Sequence, residues 1–219
     1  MVFKNRIDAG KRLAKALVEY EEHNPIVLAI PRGGVIIGYE ISIRLKCPID
    51  IVIPRKIGAP FQPELAIGAV TEDGTIYLND HIIRSLNVKD SYIKEESLRE
   101  IKEIGRRMRL YRGDTKSNLD MVNGRTVILT DDGIATGATM KAALTSIRKY
   151  NPRRIIEAIP VGPLDTIKEM RSIADEVISI HIPEQMSSIG EFYDNFDQVN
   201  DDVVIEILEK GGNISTQTI

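Results

Sequence analysis

Short apolar runs that alternate with amphipathic stretches constrain the fold of this 219-residue chain more than any other feature. The runs have the length of buried strands, and the stretches between them have apolar residues at helical spacing. The predicted buried strands cover residues 26–30, 49–53, 125–130, 155–160 and 177–180, and the main predicted helices cover residues 7–22, 33–45, 90–111, 138–150 and 202–209. This alternation predicts an α/β fold with a mostly parallel twisted sheet flanked by helices.

Three loops that follow predicted strands have unusual compositions, namely residues 31–34, 55–63 and 131–139. Because ligands bind at the carboxyl ends of parallel strands, we expect these loops to converge on one site. A separate strand pair, residues 65–70 and 75–78, is predicted to be joined by a tight Asp-Gly turn.

Composition and charge exclude several classes of protein. Apolar residues make up 42% and charged residues 28%, which is typical of a soluble domain. A net charge of -3 and a pI near 5.7 argue against a nucleic-acid binder and a polybasic membrane binder. No apolar run reaches the ~18 residues of a transmembrane helix, and the N-terminus lacks a signal-peptide pattern. The single Cys47 favours a reducing, cytoplasmic compartment, and the three histidines show no metal-ligand spacing.

The segment VILTDDGIATGAT, residues 127–139, carries the most specific chemistry. A predicted buried strand ends in Asp131 and Asp132, and small residues then lead into a helix that begins near Ala138. Backbone amides in such a loop can approach a ligand closely, and a helix start carries roughly half a positive elementary charge, so the loop suits a phosphate. Since like charges repel, the aspartates are expected to face sugar hydroxyls, a divalent metal or both. A phosphorylated sugar fits both halves, and a polar turn with an aspartate cap is the alternative.

Two further loops carry cations. The PRGG segment places Arg32 before two glycines, between a strand and a helix, which builds a second anion-binding loop. The RKIGAPFQPE segment places Arg55 and Lys56 at a predicted strand end. A structural turn with a solvent-facing arginine and a solvated basic strand end are the respective alternatives.

Residues 127–139 resemble the phosphoribosyl pyrophosphate (PRPP) motif of the type I phosphoribosyltransferases, and PRGGVIIGYE and RKIGAPFQPELAIGAV agree with that family in order and spacing. The resemblance implies an α/β core with a flexible loop and a small C-terminal hood over the base. It assigns residues 1–182 to the core, with a helical insertion near 90–112, and residues 183–210 to the hood and a closing helix. Residues 211–219 are expected to form a loose tail.

The resemblance also implies a role for each site residue. Asp131 and Asp132 are expected to bind the ribose hydroxyls, directly or together with Mg²⁺. The loop after them is expected to bind the 5-phosphate through Gly133, Ala135, Thr136, Gly137, Ala138 and Thr139. Pyrophosphate is expected to contact Arg32, Gly33, Gly34, Arg55 and Lys56. Arg32 and Lys56 are expected to be catalytic together with the two aspartates, and the Pro31–Arg32 peptide bond is expected to be cis.

Ala135 departs from one branch of the family in an informative way. The 6-oxopurine enzymes have an aspartate at this position, where it acts near the purine as acid or base. An alanine cannot do so, which weakens hypoxanthine and guanine as substrates. Adenine phosphoribosyltransferases have a similar Ala-Thr-Gly arrangement, so a purine is favoured, while a pyrimidine or a non-base acceptor stays open.

Two clusters have competing interpretations. Near the end of the predicted helix over residues 90–111 lie four arginines: Arg106, Arg107, Arg109 and Arg112. A charge run on a helix is usually a solvated face, and a role over the phosphates or in a subunit contact is the alternative. Phe192 and Tyr193 cluster with Phe196 in a chain with only 5% aromatic residues. They stack on the base, or they belong to the core or to a dimer contact.

The resulting hypothesis is a cytoplasmic enzyme of nucleotide metabolism, such as purine salvage, that transfers phosphoribosyl from PRPP to a nucleobase with Mg²⁺. Its partners would be small molecules, without nucleic acid or membrane, and the family often forms homodimers. A regulatory protein that binds PRPP without turnover is the second hypothesis. A generic phosphosugar binder or hydrolase is the third and weakest.

Overall fold

The computed structural model describes residues 2–113 and 119–214, and the described residues form two sheets flanked by helices. The strands are β1 Ile26–Ala29, β2 Ile49–Ile51, β3 Arg55–Ala59, β4 Gln62–Val70, β5 Ile76–Leu78, β6 Thr126–Thr130, β7 Arg154–Val161 and β8 Glu176–His181. The helices are α1 Arg6–Ala16, α2 Gly33–Leu45, α3 Asp80–Ser85, α4 Asp90–Arg112, α5 Ala138–Arg148, α6 Leu164–Met170 and α7 Asp201–Ile214. Short 3-10 helices cover Val18–His23, Leu119–Val122 and Ile189–Phe192.

The central sheet is parallel throughout and has the strand order β2-β1-β6-β7-β8. In its register, Leu28 of β1 lies opposite Leu129 of β6, and Ile128 of β6 lies opposite Ile156 of β7. The order of strands reverses between β1 and β6, which is where a parallel sheet opens a crevice for ligands. The predicted α/β fold, with a mostly parallel sheet and flanking helices, is confirmed.

Each face of the central sheet is covered by its own set of helices. Helices α1, α2 and α7 pack on one face, where Leu13, Ile41 and Val204 are buried. Helices α5 and α6 pack on the other face, where Leu144 and Ile167 are buried. Because both faces are covered, the strands are continuous apolar runs instead of alternating ones. Among the described helices, none combines the length and the apolar character needed to span a bilayer.

The prediction of a loop over residues 55–63 is wrong for most of this segment, which forms an antiparallel hairpin of β3 and β4. Arg55 lies opposite Val70, and β4 pairs on its other edge with β5, as predicted. The glycine that suggested a loop is Gly58, where the strand pairing is irregular. The prolines lie near the turn at Phe61, where φ is 64°. Turns and bulges within a hairpin use the same residue types as open loops.

The C-terminal helix is longer than predicted. α7 continues to Ile214 and therefore includes the first residues of the predicted loose tail over 211–219. Gly211 is buried, and a Cβ built on it would lie 2.3 Å from Ile49 of β2, so the helix packs against the sheet at that point. Residues 215–219 lie outside the described parts of the chain.

Two other helix bounds differ from those predicted. α1 ends at Ala16, and the rest of the predicted helix continues as a 3-10 helix. α3 lies in a stretch for which no helix is predicted. Asn79 caps it, because its side-chain oxygen accepts a hydrogen bond from the amide of Ile82.

The first turn of α2 approaches the loop after β6 at a distance that only glycine allows. A Cβ built on Gly33 would lie 1.9 Å from Oδ2 of Asp132. A Cβ built on Gly34 would lie 2.8 Å from Cα of Asp131. Two of the three loops that were expected to converge are therefore in direct contact.

Glu157 is a fully buried carboxyl group in the middle of β7. It lies between Leu129 of β6 and Val177 of β8, and within the described residues neither of its carboxyl oxygens has a hydrogen-bond partner. Burial raises the pKa of Glu157 to about 8, so the group is mostly neutral near pH 7.

We expect Glu157→Met to stabilise the protein, and to do so more strongly as the pH rises. The pKa of Glu157 is about 8 in the folded protein and has an ordinary value of 4.5. Below pH 4.5 the group is neutral in both the folded and the unfolded state, so it causes no loss of stability by ionisation. Between the two pKa values only the unfolded state ionises, and the unfolding free energy of the wild type falls by up to ~1.4 kcal/mol per pH unit. Urea unfolding at acidic and at mildly alkaline pH should show a widening difference in unfolding free energy between variant and wild type. A difference that is independent of pH would contradict this account.

We expect Gly33→Ala to lower the unfolding free energy by about 1–3 kcal/mol, because the added methyl overlaps the Asp132 carboxylate. Gly105→Ala in α4 is the matched control. The nearest atom to a Cβ built on Gly105 is Nη1 of Arg109, at 3.7 Å. That control should stabilise the helix by up to ~1 kcal/mol. Urea unfolding measures both variants, and equal effects would show that the approach of α2 to the loop is not tight.

Candidate functional site

The candidate site is the crevice between the loop after β1 and the loop after β6. The amide of Ile30 donates a 2.9 Å hydrogen bond to the carbonyl of Thr130, so the two loops leave the sheet side by side. Residues 30–32 lead into α2, and residues 131–137 lead into α5. The crevice therefore combines two helix N-termini, which carry partial positive charge, with the pair of aspartates.

Asp131 is held by backbone amides. Its Oδ1 accepts a 2.8 Å hydrogen bond from the amide of Asp132, and the backbone of Gly34 also supports the charged form. Burial nevertheless raises the pKa of Asp131 well above its ordinary value, and the neighbouring Asp132 charge raises it further. A pair of carboxyl groups can accept hydrogen bonds from hydroxyl groups, and in the charged form it can bind a cation.

Arg6 is the ionic partner of Asp132, and no sequence motif indicated it. Its Nε donates to Oδ2 of Asp132 at 2.8 Å, and the two side chains are only 10% and 13% exposed. Burial raises the pKa of Asp132, while the positive charge and hydrogen bond of Arg6 oppose that rise. The Arg6 guanidinium also lies 3.8 Å from the centroid of the Phe196 ring, and its Nη1 donates to the carbonyl of Asp197 at 2.8 Å.

Tyr193 contacts the backbone of the aspartate pair. It is 2% exposed, and its ring centroid lies 5.2 Å from that of Phe3 and 4.9 Å from that of Phe196. Its hydroxyl donates a 2.6 Å hydrogen bond to the backbone carbonyl of Asp132. The expectation that Tyr193 stacks on a base is therefore wrong, because its ring is inaccessible, and the alternative core role fits.

Phe192 is the aromatic residue of the predicted pair that keeps an accessible surface. It is half-buried, and its ring centroid lies 5.2 Å from that of His181 at the end of β8. The predicted hood, residues 183–210, is tied here to the N-terminus. The amide of Phe3 donates to the carbonyl of Phe192 at 2.9 Å, and the amide of Asp194 donates to the carbonyl of Phe3 at 2.8 Å.

The loop that is predicted to bind a 5-phosphate turns directly into α5. Gly137 is at the helix N-cap with φ 73°, a conformation that favours glycine. Thr166 fixes the loop, because its hydroxyl donates to the carbonyl of Ala135 at 2.7 Å. Ala135 and Thr136 are exposed, and Thr139 is half-buried. Amides in the first turn of a helix have no acceptor within the helix, so this loop offers donors to an anion.

Arg32 immediately precedes α2, next to the crevice. The expected cis peptide bond between Pro31 and Arg32 is present. The Arg32 side chain is 29% exposed, and its Nη1 lies 3.8 Å from Oδ1 of Asp201 at the start of α7. Asp201 also accepts a 2.5 Å hydrogen bond from the hydroxyl of Tyr111.

Arg55 and Lys56 are bound to carboxylates outside the crevice. Nε of Arg55 lies 2.5 Å from Glu100 of α4, and Nζ of Lys56 lies 2.6 Å from Glu64 of β4. Both cations belong to the hairpin that replaces the predicted loop. Their expected contact with pyrophosphate therefore requires that they exchange these partners.

The arginine-rich end of α4 has mixed roles. Arg112 is 7% exposed and binds Asp50 and the carbonyl of Ile51, each at 2.6 Å, so it joins α4 to β2. Arg106 and Arg107 share the carboxylate of Glu103 at 2.8 and 3.0 Å. The interpretation as a solvated face fits Arg106, which is 56% exposed, but not Arg112.

The aspartate pair fits a magnesium ion only if a ligand supplies further oxygens. The described residues include no group of three or more His, Cys, Asp and Glu side chains that could hold a metal. Mg²⁺ is often bound by one or two carboxylates together with substrate phosphates. Asp131 and Asp132 meet the protein's share of that requirement.

Comparison with known proteins places the chain in a family. The family model described as phosphoribosyl transferase domain matches residues 2–196. The crystal structure of TT1426 from Thermus thermophilus has a TM-score of 0.78 and 36% identity, covering 96% of this chain and 99% of that chain. A Mycobacterium tuberculosis protein, provisionally named a phosphoribosyl transferase, is 38% identical over 210 residues. The human phosphoribosyltransferase domain-containing protein 1 is 36% identical over 72 residues, which are 33% of this chain and 30% of that protein.

The match to the M. tuberculosis protein covers 95% of this chain but 47% of the relative, so the chain spans about half the length of the curated relatives that it matches first. The family match includes both crevice loops and the first half of the predicted hood. This chain belongs to the phosphoribosyl transferase domain family.

Proposed function

We propose that this protein transfers the phosphoribosyl group of PRPP to a nucleobase nitrogen and releases pyrophosphate. The observation that carries the proposal is the pair Asp131 and Asp132 in a crevice between two helix N-termini. PRPP has hydroxyl groups between a 5-phosphate and a pyrophosphate. Carboxylates accept hydrogen bonds from hydroxyls, and helix N-termini bind phosphates, so the charges of crevice and ligand are complementary. Membership of the family supports this reaction class.

The sugar is bound through its hydroxyls and its 5-phosphate. Asp131 and Asp132 accept hydrogen bonds from the ribose hydroxyls, and the amides from Gly133 to Thr139 bind the 5-phosphate. This arrangement holds the anomeric carbon in a defined place, which reduces the entropy that the reaction must lose. The transition state has ribosyl-cation character, as in other glycosyl transfers.

Pyrophosphate leaves with the negative charge, so groups that bind it lower the barrier. Arg32 is the main candidate, together with the backbone of Gly33 and Gly34. The present contact of Arg32 with Asp201 is long, and partly exposed ion pairs of this kind contribute about 0–1 kcal/mol, so pyrophosphate can replace it. Lys56 is a second candidate, because its partner Glu64 is 95% exposed and easily exchanged.

A magnesium ion bound with PRPP would be held by Asp131 and Asp132, directly or through the ribose hydroxyls. Its chemistry there is to neutralise charge on the phosphate oxygens. The chain's own task is to orient the sugar and to exclude water, which otherwise hydrolyses an activated sugar.

We propose a purine as the acceptor. The exposed Ala135 provides no group that exchanges protons with a 6-oxopurine, which favours an adenine-like base. The half-buried Phe192 offers an aromatic surface, and stacking of a base on such a ring is worth about 1–3 kcal/mol. Pyrimidines and non-base acceptors are the alternatives that the assay below separates.

We expect Asp131→Asn combined with Asp132→Asn to lower transfer by roughly 100-fold or more, because each lost hydrogen bond to a charged group costs about 1.5–3 kcal/mol. The fold should be retained, because each asparagine keeps a side-chain oxygen that can accept the hydrogen bonds from the Asp132 amide and from Arg6. Asp165→Asn is the control, because Asp165 is 98% exposed at the start of α6. Pyrophosphate release measures activity, and full turnover in the double variant would rule out the proposed role of the aspartates.

The substrate class is tested by incubation with PRPP, Mg²⁺ and a panel of purine and pyrimidine bases. We expect pyrophosphate release that depends on a purine. Calorimetric binding of PRPP without release for any base would instead favour the PRPP-sensing regulatory protein. Absence of PRPP binding would leave the phosphosugar hydrolase.

A further inference from the structure

Arg6 connects the aspartate crevice with both ends of the chain. It lies in the first turn of α1, 126 residues before Asp132. Among the described residues it contacts the carboxylate of Asp132, the carbonyl of Asp197 and the ring of Phe196. The segment that carries Phe196 and Asp197 is held to the N-terminus, since the amide of Asn195 donates to the carbonyl of Lys4 at 3.0 Å.

This buried ion pair differs from an ordinary surface pair. The Arg6 side chain is 10% exposed, and its guanidinium is fixed on one side by a ring and at two nitrogens by oxygens. Arg12, six residues further along α1, forms an ion pair with Asp8 but is 44% exposed. A planar guanidinium that several groups hold has little conformational freedom, so it can orient a carboxylate.

The two aspartates of the crevice are oriented by different means. Backbone amides hold Asp131, whereas Arg6 holds Oδ2 of Asp132. The backbone of α2 is shaped around the same pair, because a Cβ built on Gly33 would lie 1.9 Å from Oδ2 of Asp132 and 2.8 Å from Nε of Arg6. Arg6 therefore fixes the orientation of the Asp132 carboxylate, which keeps further acceptor sites for a ligand hydroxyl.

We propose that Arg6 is a positioning residue that orients the Asp132 carboxylate towards a sugar hydroxyl. It acts through Asp132 and does not itself contact the sugar. This inference rests on the proposed function, because it presupposes a ribose phosphate in the crevice. It also gives the N-terminal residues a part in sugar recognition.

The test compares two ligands that differ only in their hydroxyls. Ribose 5-phosphate and tetrahydrofurfuryl phosphate share the ring oxygen and the phosphate, but the second lacks the ring hydroxyls. Calorimetry gives the dissociation constant of each ligand. The value for tetrahydrofurfuryl phosphate divided by the value for ribose 5-phosphate reports the hydroxyl contacts separately from phosphate binding. A purely structural role of Arg6 would weaken both ligands alike and leave the ratio unchanged.

We expect Arg6→Gln to reduce this ratio by about tenfold, since a misplaced hydrogen bond to a charged group costs about that much in affinity. Binding of tetrahydrofurfuryl phosphate should change little. Arg12→Gln on the same helix is the matched control and should keep the wild-type ratio. Adding Arg6→Gln to Asp132→Asn should reduce the ratio no further, because Arg6 acts through Asp132.

Failure of the proposed function and failure of the inference about Arg6 are distinguishable. If the wild-type protein binds the two ligands equally, the proposed function fails, because no hydroxyl contact exists to be positioned. If the wild type discriminates and Arg6→Gln does so equally well, the inference about Arg6 is overturned while the proposed function stands. If Arg6→Gln unfolds, Arg6→Lys repeats the test, because the ammonium keeps a charge beside Asp132 but lacks the planar guanidinium that fixes the carboxylate.

Discussion

The contact between two adjacent carboxylates and the first turn of α2 is the interaction on which the site depends. Carboxylates shielded from water are costly unless hydrogen bonds and opposite charges compensate them. Gly33 and Gly34 let the α2 backbone approach Asp131 and Asp132 closely enough to offer that compensation. The glycines that sequence reasoning assigned to pyrophosphate are therefore also required by the aspartates.

The remaining compensation comes from the ends of the chain. Arg6 of α1 binds Asp132, and Asp201 of α7 lies beside Arg32, so two of the crevice charges considered for substrate binding already have an internal counter-ion. Such counter-ions hold the side chains in place before a ligand binds, but a ligand that needs the same charge must replace the counter-ion. The short Arg6 contact is buried and suited to orientation, whereas the long Arg32 contact is partly exposed and suited to replacement.

Sequence reasoning was most reliable where the chemistry is local. The strand β6, the aspartates and the start of α5 follow one another directly, so residues 126–148 could be predicted as a unit. The hairpin of β3 and β4 was missed, because Gly58 and the prolines near it occur equally in loops and in turns. The sequence left open whether Tyr193 stacks on a base or belongs to the core, because the pattern of an aromatic residue late in the chain is the same in both cases, and the structure buries its ring.

The sequence by itself determined the alternation of strands and helices, the glycine-rich loops and the aspartate pair, since each depends on neighbours within a few residues. Only the tertiary structure decided which distant groups meet these loops. The strand order β2-β1-β6-β7-β8 places β1 beside β6, and the pairing of residues 2–4 with the hood brings Arg6 to Asp132. The same packing buries Glu157 without a partner among the described residues. Contacts across so many residues arise from how the layers pack, and no local pattern encodes them.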